Sequence, residues 1–140
     1  GGQYLDLSYE HKKVTKKNII EMEIKKTGKL FSFCCVAPLI LKNRSKKEIR
    51  KFEDIGAEIG LLFQVADDLI DHKGNISVAG KKTGKDKKSG KATLISLLGY
   101  KNTIKYGNNL IVKINNKIKK YGSKSNNLSK TLNYILNRNK

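Results

Sequence analysis

Three aspartates, Asp67, Asp68 and Asp71, lie within the nine-residue segment FQVADDLID, residues 63–71. The chain as a whole is strongly basic, with 30 lysine and arginine residues against 12 acidic ones. A helix over this segment places Asp67 and Asp71 about 40° apart on one face, with Asp68 beside them. Carboxylates at this spacing suit Mg²⁺, which takes one or two carboxylates together with phosphate oxygens. An acidic helix end paired with lysines fits the spacing equally well, so the spacing alone favours neither interpretation.

A lysine-rich segment follows the aspartates and favours the metal interpretation. Residues 74–90, GNISVAGKKTGKDKKSG, are predicted to form a loop whose glycines let the backbone curl. The lysines that follow the aspartates are Lys81, Lys82, Lys85, Lys87, Lys88 and Lys91. Carboxylates for Mg²⁺ beside ammonium groups are what a diphosphate site requires. The segment SGKAT, residues 89–93, is not a P-loop, because Ala92 replaces the required hydroxyl and no strand precedes it.

Helical periodicity dominates the chain and predicts an all-α helical bundle. A first long helix is predicted over about residues 16–41, with Thr15 as its cap and Pro38 bending it near its end. Ser45 and Glu48 predict a capping box for a second helix, which Gly74 is expected to end. A short helix is predicted over about residues 91–98. Two further stripes predict the last helices: Ile104, Gly107, Ile111, Ile114, Ile118 and Tyr121, and then Leu128, Leu132 and Ile135.

The second helix carries two neighbouring stripes. Its core stripe is Ile55, Ile59, Leu62, Ala66 and Leu69, and the stripe beside it is Gly56, Gly60, Phe63, Asp67 and Asp71. Small residues are expected to leave space there, which the carboxylates close. We therefore expect Asp67 and Asp71 to face one cavity together with Lys81, with Asp68 at its edge.

The net charge of +18 invites a nucleic-acid-binding interpretation. Lysine outnumbers arginine 27 to 3 and is spread along the chain, which favours a solvated surface instead. A membrane-surface helix over residues 101–121 is a second alternative, for which core packing is the better explanation. No apolar run approaches the ~20 residues of a membrane span. Cys34 and Cys35 are expected to be buried reduced thiols of a cytoplasmic protein.

Five motifs occur in an order that resembles one enzyme family. They are Gly2-Gln3 with Asp6, Lys26-Thr27-Gly28, FQVADDLID, Gly80-Lys81 with Asp86, and Gly90-Lys91-Ala92-Thr93. Together with the ending YILNRNK, they resemble the C-terminal half of a polyprenyl synthetase of the farnesyl diphosphate synthase (geranyltranstransferase) type. The resemblance covers essentially all 140 residues. It implies the C-terminal part of the all-α isoprenoid synthase (class I prenyltransferase) fold.

The resemblance also implies a reaction and a set of roles. Mg²⁺ would draw the diphosphate from an allylic diphosphate, and isopentenyl diphosphate would attack the resulting cation head to tail, giving a short-chain product such as farnesyl diphosphate. The implied metal ligands are Asp67, Asp68 and Asp71, with Asp67 as the direct ligand. The implied catalytic residues are Lys26, Thr27 and Gln64, and the oxygens of the last two face the cation. The implied substrate-binding residues are Gln3, Lys26, Phe63, Lys81, Lys91 and Arg138.

The family's first aspartate-rich motif is not present in these 140 residues. We therefore expect residues 1–140 to be the C-terminal portion of a single polyprenyl synthetase domain whose N-terminal half is absent. Such a portion is expected to carry half of the site, to expose apolar surface and to be inactive alone. A homodimer when full length, no bound nucleic acid and no membrane span are also expected. The alternative is a basic helical nucleic-acid-binding protein without enzymatic activity, which the charge alone supports.

Overall fold

The computed structural model describes residues 1–10, 13–79 and 93–138. These residues form helices joined by short connections and contain no strand, which confirms the all-α prediction. The α-helices are α1 Gly2–Ser8, α2 Lys16–Glu23, α3 Lys29–Leu41, α4 Lys46–Ala79, α5 Leu94–Leu98, α6 Tyr100–Ile118 and α7 Asn126–Asn137. A π-helical turn, Ile24–Gly28, joins α2 to α3, and a 3₁₀ segment, Lys119–Ser125, joins α6 to α7.

The predicted helix over residues 16–41 is confirmed as a continuous helical segment with one irregular turn. Thr15 caps it as expected, because its hydroxyl accepts the backbone N–H of Asn18 at 3.2 Å and the Asn18 side chain bonds back to Thr15. The sequence pattern does not predict the wider π-helical turn Ile24–Gly28. Such turns widen the helix locally and occur frequently at functional sites.

The start of α4 agrees with the sequence, but its end does not. The Ser45 hydroxyl accepts the N–H of Glu48 at 3.3 Å, as the predicted cap requires. The prediction that Gly74 ends the helix is wrong, since α4 continues to Ala79. A glycine in a helix is unfavourable by about 1 kcal/mol relative to alanine, which does not by itself end a helix of this length. Residues 74–79 are therefore helix rather than loop, and the rest of the predicted loop lies outside the described residues.

Helix α4 lies at the centre of the bundle and contacts all the other long helices. Its buried residues include Ile55, Leu62 and Ala66, and they pack with the α6 and α7 side chains Ile111, Ile114, Ile118, Leu132 and Ile135. The isoleucine stripe of α6 is thus core, so the membrane-surface interpretation of this helix is wrong. No helix in the described part of the chain is long and apolar enough to cross a membrane.

Glycines bring α3 and α4 unusually close together. A Cβ placed on Gly56 would lie 2.5 Å from the Cα of Ser32, and one on Gly60 would lie 2.6 Å from the Cα of Gly28. The expectation that these small residues leave space is therefore wrong, because the backbone of α3 fills it. The glycine stripe of α4 is a helix-packing surface, and it continues directly into the aspartates.

The opposite face of α3 has no partner among the described residues and is apolar. Leu30, Phe33 and Leu41 are 66%, 67% and 82% exposed. Cys34 is also exposed and Cys35 is half-buried, so the expectation of two buried thiols is wrong for Cys34. Both thiols are free, as expected. The apolar surface that the sequence leads us to expect is thus present on this helix.

The close α3–α4 contact predicts opposite effects of alanine at two glycines of α4. Gly56→Ala should lower the free energy of unfolding by about 2 kcal/mol, because its Cβ overlaps the α3 backbone. Gly74→Ala is the matched control, since no described atom lies within 4 Å of a Cβ there, and it should raise stability by up to about 1 kcal/mol. Urea unfolding followed by circular dichroism measures both. Equal effects of the two substitutions would contradict the packing account.

Candidate functional site

The π-helical turn presents Lys26 to a carboxylate on α1. The Lys26 ammonium donates to Asp6 Oδ2 at 2.7 Å, and both side chains are largely buried. Gly2 makes this contact possible, because a Cβ on Gly2 would lie 2.1 Å from the backbone nitrogen of Lys26. Burial opposes the charge on Lys26, but the Asp6 carboxylate outweighs it, so the pKa of Lys26 is raised. Two of the motifs singled out in the sequence therefore meet in one ion pair.

The next residue of the turn begins a chain of hydrogen bonds. The Thr27 hydroxyl donates to Gln64 Oε1 at 3.2 Å, and Gln64 Nε2 donates to Asp68 Oδ1 at 3.4 Å. Thr27 reaches α4 because the glycines below it bring α3 against that helix. The structure thus places two side-chain oxygens beside each other and next to a carboxylate.

Two carboxyl groups near Lys26 have pKa values above their ordinary range. Burial raises the pKa of Asp68 to about 6, against the Gln64 hydrogen bond and the Lys26 charge, while Asp71 and Asp67 raise it further. Burial, followed by the charge of Asp68, raises the pKa of Glu23 to about 7. Glu23 is only 3% exposed, and its Oε2 has no hydrogen-bond partner in the described part of the chain. Burial and the neighbouring carboxylates therefore both disfavour negative charge on these two groups.

The C-terminal arginine contacts the aspartate segment. The Arg138 guanidinium donates to Asp67 Oδ1 and lies 4.8 Å above the centre of the Phe63 ring. Phe63 in turn packs against Phe31 of α3, with ring centres 5.5 Å apart. Asp67 is thus paired with an arginine 71 residues further along the chain, because α7 packs on α4.

The arrangement of the three aspartates differs from the expected one. Asp68 is the carboxylate that contacts the polar residues of the site, whereas Asp71 is exposed. The three do not gather into a cluster with metal-ligand geometry, and the described residues contain no such group of three or more. An apolar cavity between α4, α6 and α7 includes Arg138 in its lining but none of the aspartates. Among the three aspartates Asp68, expected at the edge, contacts the polar residues, and Asp71 is exposed; their predicted convergence with Lys81 lies outside the described residues and stays a prediction.

The remaining predicted site residues are distributed as follows. Gln3 is exposed on α1, close in sequence to the Asp6–Lys26 pair. Lys81 and Lys91 lie outside the described residues. The structure therefore brings together Lys26, Thr27, Gln64 and Asp68, with Asp67, Phe63 and Arg138 adjacent.

The donor set of this site suits a hard cation that shares its coordination with a ligand. Mg²⁺ is commonly held by one or two carboxylates, with water and phosphate oxygens in its other positions. Asp67, Asp68 and Asp71 supply carboxylates on adjacent faces of the C-terminal half of α4. Burial first, and neighbouring carboxylates second, raise the pKa values of Asp68 and Glu23, and a bound cation would lower them again. The donor types present therefore fit Mg²⁺ as an ion held partly by protein carboxylates, although the three aspartates of the described residues do not converge into a cluster in this structure.

Sequence reasoning missed Glu23. Its signal is its place in the helical register: Glu23 lies three residues after Ile20 and four before Thr27, both of which belong to the apolar stripe of this helix. A carboxylate in such a position must be buried or must distort the packing. In this fold it is buried beside Lys26 and Asp68.

Comparison with known proteins gives a consistent result. The sequence model of the family described as polyprenyl synthetase matches residues 1–135. The chain is 33% identical over 139 residues to the farnesyl diphosphate synthase of Micrococcus luteus, covering 99% of this chain and 48% of that protein. It is also 33% identical over 140 residues to the geranylgeranyl diphosphate synthase of Cyanophora paradoxa, covering 99% of this chain and 47% of that protein.

A solved structure shares the fold. The geranyltransferase of Helicobacter pylori, crystallised with magnesium and isoprenyl diphosphate, matches with a TM-score of 0.73 and 28% identity. The match covers 98% of this chain and 45% of that one. The chain thus spans about half the length of the relatives that it matches.

The burial of Glu23 predicts a pH dependence of stability. Because its folded pKa lies above the ordinary value of 4.5, its stabilising contribution is full below pH 4.5 and is lost as pH rises through about 7. The metal-free chain should lose on the order of 2–3 kcal/mol of unfolding free energy across this window through Glu23. Glu23→Gln should remove that part of the loss, leaving the smaller part due to Asp68.

Glu21→Gln is the control for this experiment, since Glu21 lies on the same helix but is exposed and paired with Lys25. Urea unfolding at several pH values in the presence of a chelator measures the effect. A Glu23→Gln variant that keeps the full pH dependence of the parent would refute the assignment.

Proposed function

The chain belongs to the polyprenyl synthetase family, and on that premise we propose that it supplies the second aspartate-rich half of a prenyltransferase site. The reaction is the head-to-tail condensation of an allylic diphosphate with isopentenyl diphosphate to give a short-chain prenyl diphosphate. The observation that carries the proposal is the hydrogen-bonded chain from Thr27 through Gln64 to Asp68, beside the Lys26 ammonium. It joins groups suited to a cation and groups suited to a diphosphate within one site.

The diphosphate end of the allylic substrate would lie beside Lys26. A bound Mg²⁺ would neutralise the diphosphate oxygens and make the diphosphate a better leaving group. Asp67, Asp68 and Asp71 are the residues that would hold the ion. Lys26 would hold the diphosphate by a charge-assisted hydrogen bond, and Asp6 positions the Lys26 ammonium for that contact. Lys81 and Lys91 are proposed to assist from the segment outside the described residues.

The hydrocarbon end would lie over the oxygens of Thr27 and Gln64. When the carbon–oxygen bond to the diphosphate breaks, the electron pair leaves with the diphosphate and an allylic cation remains. The lone pairs of Thr27 Oγ1 and Gln64 Oε1 stabilise this charge without forming a bond to it, since they are held by each other and by Asp68. The double bond of isopentenyl diphosphate then forms the new carbon–carbon bond, and the diphosphate that has left accepts the proton that is lost.

The pairing of Arg138 with Asp67 is proposed to be a resting arrangement. Asp67 would hold the ion, and Arg138, which pairs with Asp67, would contact the second diphosphate. Gln3 and Phe63 are proposed as further substrate contacts. Farnesyl diphosphate is the proposed product. Homodimer formation, the cytoplasmic location and the lack of nucleic-acid binding stay predictions.

A chimera tests the proposed function. Residues 1–140 would replace the matching part of the Micrococcus luteus enzyme, which supplies the other half of the fold. We expect Mg²⁺-dependent formation of a prenyl diphosphate by the chimera. The 140-residue chain alone should be slower by many orders of magnitude, because pre-organised charge commonly contributes several kcal/mol to a barrier. A folded chimera without turnover would contradict the proposal, and turnover by the chain alone would contradict the half-site argument.

The role of Lys26 predicts a specific kinetic change in the active chimera. Lys26→Ala should raise the KM for the allylic diphosphate by about tenfold or more, because a charge-assisted contact to the diphosphate is lost. Lys25→Ala is the matched control, since Lys25 is the neighbouring residue but pairs with Glu21 at the surface. Steady-state kinetics with the allylic substrate varied measures both. Equal KM values for the two variants would assign Lys26 no part in binding.

A further inference from the structure

A second group of charged residues lies at the opposite end of α4 from the aspartates. We call it the lysine cluster: Lys51 on α4 and Lys120 of the 3₁₀ segment, which both approach the ring of Tyr121, and Lys117 near the end of α6. Lys51 precedes Asp67 by sixteen residues, which is about 24 Å of helix. None of the roles proposed for the condensation reaction uses these residues.

Two ammonium groups of the cluster converge on one aromatic ring. Lys51 Nζ lies 5.3 Å and Lys120 Nζ 4.9 Å from the centre of the Tyr121 ring. The ring is fixed from below by Phe52, whose centre is 5.6 Å away. Cation–π attraction holds each lysine there, yet the same ring brings two positive charges together.

The cluster contains more positive charge than its surroundings neutralise. Within the described ranges, neither Lys51 nor Lys120 forms an ion pair. Glu58 is shared between Lys113 and Lys117, at 2.8 Å from each ammonium. Burial, and then the charges of Lys120 and Lys117, lower the pKa of Lys51. An anion bound between the ammonium groups would turn this repulsion into attraction.

We propose that the lysine cluster binds a phosphate or diphosphate group at Lys51 and Lys120, separately from the aspartate site. Ammonium groups are compact point charges with three donors each, and they suit a tetrahedral oxyanion that offers oxygens in several directions. Lys117 adds a third positive charge beside the two, although Glu58 holds it. The group could belong to free diphosphate, which the condensation releases, or to the headgroup of an anionic lipid.

The test is a titration of the 140-residue chain that reports on Tyr121 itself. The chain is labelled with ¹³C at its tyrosine rings and titrated with inorganic diphosphate in the presence of a chelator, so that no metal ion assists binding at the aspartates. We expect a saturable shift of the Tyr121 signal. Lys51→Gln and Lys120→Gln should each weaken this binding by about tenfold, because each removes one charge-assisted contact.

Matched controls remove the same charge from exposed neighbours. The controls are Lys47→Gln, one turn before Lys51, and Lys119→Gln, next to Lys120. Each should change the affinity for diphosphate by less than about twofold. Circular dichroism checks that every variant keeps its helix content. Equal weakening by all four substitutions would show that only net charge matters and would overturn the proposal. The proposal would also be overturned if neither diphosphate nor the lipid vesicles described next gave a saturable shift of the Tyr121 signal.

The lipid arm uses vesicles of phosphatidylcholine with and without phosphatidylglycerol. If the group belongs to a lipid, vesicles containing phosphatidylglycerol should bind the chain, and Lys51→Gln and Lys120→Gln should reduce binding more than their controls. If it belongs to free diphosphate, the vesicles should show no dependence on these two residues. Duplex DNA that binds through Lys51 and Lys120, while neither diphosphate nor vesicles do, would assign the cluster to nucleic acid and overturn the proposal.

Discussion

The contact between α3 and α4 through Gly28, Gly56 and Gly60 determines the geometry of the site. Ordinary side chains keep helix axes 8–10 Å apart, whereas here the backbone of one helix occupies the space of the other's missing Cβ atoms. Only this approach lets the short Thr27 side chain reach Gln64 at 3.2 Å. The same residues that pack the helices therefore align the polar groups, and stability and chemistry depend on one surface.

Charge is distributed unevenly along α4, although the chain as a whole is strongly basic. At the C-terminal end of the helix, carboxylates crowd around Lys26, and burial keeps Glu23 and Asp68 reluctant to ionise. At its N-terminal end, Lys51 and Lys120 meet without a carboxylate partner in the described residues. Crowding of one sign of charge is unfavourable unless a counter-ion joins it. The first end suits a cation and the second an anion, and a uniform basic surface would give neither.

The sequence predicts what depends on local interactions. The helix over residues 16–41, its Thr15 cap and the burial of the α6 isoleucine stripe follow from hydrogen bonding and periodicity within each segment. The polar residues of the site were found from motif order. The π-helical turn, the role of Gly56 and the burial of Glu23 could not be predicted, because each depends on which helix packs against which. The end of α4 does not follow from Gly74, because a glycine in a helix is unfavourable by only about 1 kcal/mol.

A metal ion and a diphosphate are proposed to bind together where the Lys26–Thr27 turn meets the aspartates of α4. Paramagnetic broadening of NMR signals by Mn²⁺, added with inorganic diphosphate in place of Mg²⁺, measures this most directly on the chain itself. The account predicts that the signals of Asp67, Asp68 and the turn residues disappear first, while that of Lys51 persists. Broadening that spreads evenly over the chain, or that begins away from these residues, would contradict it.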